Sequence, residues 1–94
     1  MIIGVCEIEL YLSGVSSLKE KRGIIKSLVV RVHQKFNVAA SEVKHQDLWQ
    51  SSVVGIVTVT NSSRHANQVM DHVLSWIEDN YPQAMIVKHT TEII

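Results

Sequence analysis

The chain has 94 residues, room for one domain spanning 1–94, and its 46% hydrophobic and 19% charged content excludes intrinsic disorder. Lys plus Arg and Asp plus Glu each number 9, so coating nucleic acid or an anionic membrane by bulk charge is excluded, and any such contact needs a local patch. The lone Cys6 leaves no intrachain disulfide framework and no Cys-rich zinc site.

Residues Ile2 to Leu12 alternate. Ile2, Cys6, Ile8, Leu10 and Leu12 fall on one face and Ile3, Val5, Glu7, Glu9 and Tyr11 on the other, which is the period of a strand. No basic segment precedes this apolar run, and Glu7 and Glu9 interrupt it. Neither a secretory leader nor a membrane span is expected, and the expected compartment is the cytoplasm. Ser13-Gly14-Val15-Ser16-Ser17 supplies turn residues, and Ser17 precedes Glu20 at the spacing of a capping box. From Leu18 the period becomes helical. Leu18, Ile25, Leu28, Val29, Val32 and Phe36 gather within about a third of the circumference, and Asn37 is a suitable stop.

Val38 to His45 reads as a second strand whose parity breaks, which predicts a bulge near Ser41-Glu42. After the connection Gln46 to Gln50, Val53 to Thr60 is rich in β-branched residues and reads as the third strand. Asn61-Ser62-Ser63 caps a second helix with the stripe Ala66, Val69, Met70, Val73, Trp76 and Ile77, and Asn80-Tyr81-Pro82 ends it. Ala84 to Ile94 completes the order β-α-β-β-α-β. That order predicts an α+β, ferredoxin-like sandwich, a four-stranded antiparallel sheet with two helices on one face.

The bare face of such a sheet is ordinarily polar at every second residue, yet both sides of the third strand are apolar. Self-association through the sheet face, or through the edge strand ending in Ile93-Ile94, is therefore expected. The expected interface residues are Ile3, Val5, Ile56 and Ile93. The same face carries only Tyr11 as an aromatic on its central strands and lacks the RRM signature.

No catalytic constellation emerges. Cys6 lies at a core position, where burial disfavours the thiolate. His65 and His72 stand about 10 Å apart along a helix, too far to share one ion, and Gly4, Gly14, Gly23 and Gly55 form no phosphate-binding loop. No enzyme activity, cofactor, metal or small-molecule substrate is expected.

Two local features stand out. The first is the cationic run Lys19, Lys21, Arg22 and Lys26 opening the first helix. Arg22, His33, Lys26 and Lys19 occupy about 40–100° of the wheel, beside the apolar stripe, with Lys21 on its other side. Such a run suits phosphates of structured RNA, and it also suits a solvated helix face paired with Glu20. The second is His45-Gln46-Asp47-Leu48-Trp49-Gln50. There Asp47 is placed to orient His45, while Trp49 and Gln50 either pin the loop to the domain or a partner, or grip a nucleotide.

Taken together, Met1-Ile2-Ile3-Gly4, Ser17-Leu18-Lys19-Glu20-Lys21-Arg22, Phe36-Asn37-Val38, the His45 to Gln50 run and the ending Thr90-Thr91-Glu92 resemble the YlxP-like family of small bacterial proteins of unknown function. The resemblance implies a ferredoxin-like fold. It also implies a setting near translation factors, hence a ribosomal particle or ribosomal RNA as partner. No catalytic residues come with it.

Overall fold

The structure is a computed structural model describing residues 1–94. Alternation along the first strand has its physical consequence: Cys6, Ile8, Leu10 and Leu12 are buried, while Glu7, Glu9 and Tyr11 turn to the opposite side. The elements are β1 (Ile2–Leu12), α1 (Leu18–Lys35), β2 (Ala39–Lys44), β3 (Ser51–Thr60), α2 (Ser63–Asn80) and β4 (Ala84–Ile93). The strands pair antiparallel in the order β2-β3-β1-β4, so the ferredoxin-like α+β arrangement is as expected.

The helix boundaries follow from their caps. The Ser17 hydroxyl accepts the Glu20 N–H at 3.1 Å. The Glu20 carboxylate reaches back to the Ser16 N–H and hydroxyl at 3.3 and 3.2 Å, one residue before a strict capping box. Ser62 caps α2 by accepting the His65 N–H at 3.2 Å. The core between helices and sheet joins Ile8, Leu10, Leu28, Val32, Ile56 and Ile77, all fully buried. Each such side chain contributes roughly 1.5–3 kcal/mol over leaving it in water. Gly4 lets α2 approach the sheet, because a Cβ there would lie 3.2 Å from the Ala66 Cβ and from Thr58 Cγ2.

The bulge expected near Ser41-Glu42 is present, between Glu42 and Lys44, while two of the expected interface residues are corrected. The extra residue, Val43, folds over Gly55, where a Cβ would come within 3.0 Å of Val43 Cγ1. Ile56 is no surface residue: it pairs with Cys6 on the helix-packed side and is fully buried, while Val57 and Val59 face out. Ile93 pairs with Gly4 and so also lies on the helix side, half-buried, rather than on the open face. Ile3 and Val5 do belong to the open face, both partly covered there.

At the other end of the helix layer Arg31 lies over the rings of Trp76 and Tyr81, 5.0 and 5.3 Å from their centroids. It also donates to the Tyr81 hydroxyl at 3.2 Å. Phe36 meets Trp76 edge-on at 6.2 Å. This cluster ties α1 to α2 and the turn before β4. No helix is long and apolar enough to cross a membrane.

Candidate anion-binding site on the first helix

One turn of a helix separates residues three or four apart, so Lys19, Arg22 and Lys26 come out on the same flank of α1, all exposed. Arg22 and Lys26 overhang a shallow groove of about 290 Å³ between α1 and β2, floored by Ile25 and Val29 and walled by Ser41 and Glu42. The ion pairs in the chain are Lys21–Glu42 and Lys44–Glu7. Lys19, Arg22 and Lys26 therefore have no carboxylate partner.

Lys21 does not join them. Its side chain is fully buried and its ammonium sits 2.7 Å from Glu42 Oε2. It also donates to the carbonyls of His45 and Gln46. The sequence expectation that Lys21 contacts phosphate is thus corrected: this cation is spent inside the protein, tying α1 to β2 and to the loop after it. Its place on the wheel, at about 300°, is inside the buried stripe of Ile25, Leu28 and Val32 rather than beside it. The pairing matters for the groove. Glu42 also accepts from Ser52 at 2.6 Å, so the only carboxylate on the groove wall is turned inward and neutralised.

The loop at residues 45–50 is built differently from the expectation as well. The His45 ring Nδ1 meets the Ser51 hydroxyl at 2.7 Å, not Asp47, which is exposed. His45 itself adopts φ 63°, a left-handed conformation that costs a non-glycine residue energy and that the Lys21 contact to its carbonyl helps to hold. Gln50 anchors the loop, donating to the Val15 carbonyl at 3.3 Å while its own carbonyl accepts the Leu12 N–H at 2.9 Å. Trp49 is 53% exposed.

Elsewhere, Cys6 is buried and its thiol is raised above its ordinary value, chiefly by desolvation and despite a hydrogen bond from Thr91. No three His, Cys, Asp or Glu side chains gather in a manner that would hold a metal ion. His65 and His72 are both exposed on α2. The open sheet face divides into two halves. One is a concavity of about 270 Å³ lined by Glu7, Glu9, Lys44, His45 and Lys88, among others. The other is an apolar concavity of about 440 Å³ around Val5, Ala39, Val43 and Val57. Glu7 and Glu9 share the first of these with Lys44 and Lys88, so its acids and lysines balance, whereas Lys19, Arg22 and Lys26 on the α1 flank have no carboxylate partner.

Residues 3–91 match the family described as "Protein of unknown function (DUF503)". The chain is also 39% identical over 82 residues to the uncharacterized protein YlxP of Bacillus subtilis strain 168, a match covering 87% of this chain and 88% of that protein.

Proposed function

We propose that this chain, which belongs to the DUF503 family of proteins of unknown function, is a non-catalytic cytoplasmic accessory protein that holds the phosphate backbone of structured RNA on the α1 flank. The observation that carries this reading is the set of three exposed cations, Lys19, Arg22 and Lys26, without carboxylate partners beside a wall whose only acid is already neutralised. Phosphate contacts of this kind give affinity and position without reading sequence. Three contacts on a chain of zero net charge support modest affinity that falls steeply with salt. The chain's resemblance to its family favours a ribosomal particle or its RNA as the target.

The apolar half of the open face favours a second reading, a self-association module in which the exposed Val57 and Val59 meet another copy. One experiment separates the two. Lysate is sedimented through a sucrose gradient at low and moderate salt, with wild type run beside a Lys19→Ala/Arg22→Ala/Lys26→Ala variant. Co-migration with a ribosomal subunit that is lost in the variant and at higher salt supports the first reading. Migration as a free oligomer in every lane contradicts it and supports the second.

A further inference from the structure

The two strands at the sheet edges are not equivalent. β2 has six residues and a bulge near its end, both of which discourage pairing with another chain. β4 is the other edge, and past the irregularity at Val87, which falls between the partners of Glu9 and Leu10, it runs in regular register from Lys88 to Ile93. Residues 88 to 92 are all exposed.

The direction of the free backbone groups is fixed by one pair. Ile3 and Ile94 exchange both hydrogen bonds, at 3.0 and 2.8 Å. Antiparallel pairs alternate, so Ile94, Glu92, Thr90 and Lys88 point their N–H and C=O groups toward β1, and Ile93, Thr91 and His89 point theirs away from the sheet. Those outward groups form a template for another strand.

We infer that two copies of this chain pair through β4, antiparallel, about a two-fold axis at Thr90, making one continuous eight-stranded sheet. Two conditions select that axis. Outward groups must meet outward groups, which requires the axis to pass through a residue and not between two. Side chains across it must also be compatible. An axis at Lys88 or at Glu92 sets like charges directly opposite, and one at His89 or Thr91 leaves both charges facing a neutral residue. Only the axis at Thr90 places Lys88 of each copy opposite Glu92 of the other, twice by symmetry, with Thr90 against Thr90 and reciprocal His89–Thr91 hydrogen-bonded pairs. Lys88 and Glu92 make no ion pair within the chain and are free for this one. As a pair whose own backbone bonds point away, they fall where cross-strand side chains come closest.

The test is sedimentation velocity across a micromolar concentration range with wild type, Lys88→Glu, Glu92→Lys and an equimolar mixture of the two variants. Wild type is expected at twice the 10.6 kDa chain mass. Each reversal alone puts like charges opposite each other at both positions and should weaken the dimer by about tenfold or more. Mixed together, the two variants become complementary and should recover the dimer, which misfolded chains could not do. A wild type that stays monomeric overturns the inference. So does either variant dimerising alone as wild type does, as an assembly built on the open face would, or a mixture that stays monomeric.

Discussion

Lys21 shows how one residue can serve as structure while its neighbours are left for binding. Its charge is out of water, held by Glu42 and two loop carbonyls. Removing one partner of such a pair leaves the other charge without compensation, a cost of roughly 3–5 kcal/mol when both are fully buried. Because Glu42 keeps 17% exposure, we expect Lys21→Ala to lower stability by about 2–3 kcal/mol in urea denaturation. Its RNA affinity should also fall, though by less than that of a variant lacking the flank cations, because the Glu42 charge beside the groove is then no longer neutralised. The sequence did contain the signal: at about 300° on the wheel Lys21 lies between apolar neighbours, and a cation inside a buried stripe asks for an acid on the facing strand. What a sequence cannot say is which acid, because Glu42 reaches Lys21 only through the pairing of β2 with β3. Cys6 was legible in the same way and without ambiguity. Its thiol should resist an aromatic disulfide reagent at pH 8 in the native protein and react at once in denaturant. Because folding raises this thiol's pKa, its contribution to stability is intact below the ordinary thiol range and is lost as pH climbs through the raised value.

At the scale of elements, the helix and strand order follows from periodicity and caps, and these were plain in the chain. Strand faces were plain only where one face was polar. In β1, Glu7 and Glu9 mark the open side. In β3 both sides are apolar, so the burial of Ile56 and the exposure of Val57 are settled by register with Cys6 and Val5 rather than by composition. Ile93 is set in the same manner, by pairing with Gly4. The helices depend on each other through Arg31, which stacks between the elements over Trp76 and Tyr81. Arg31→Ala should cost about 1 kcal/mol and shift Trp76 emission to the red as its ring gains water, whereas a change confined to the α1 flank should do neither.

The whole molecule separates its charges by face although they sum to zero. Acidic Glu7 and Glu9 occupy the middle of the open sheet with Lys44 and Lys88 at its margins, and three unpaired cations occupy the α1 flank. Paired through β4, two copies would present two such flanks, and a single extended RNA touching both would gain from the second contact being intramolecular. The fold was legible from the chain; the division of surfaces was not, since it depends on which cations the core consumes.

RNA binding by the α1 flank is tested most directly by the salt dependence of binding to a structured ribosomal RNA fragment, by fluorescence anisotropy, for wild type and the Lys19→Ala/Arg22→Ala/Lys26→Ala variant. We predict that the variant binds at least about tenfold more weakly at low salt, and that the slope of log affinity against log salt flattens by about 2 to 3, one counterion release per lost phosphate contact. Equal affinity and an equal slope in the two proteins would contradict it.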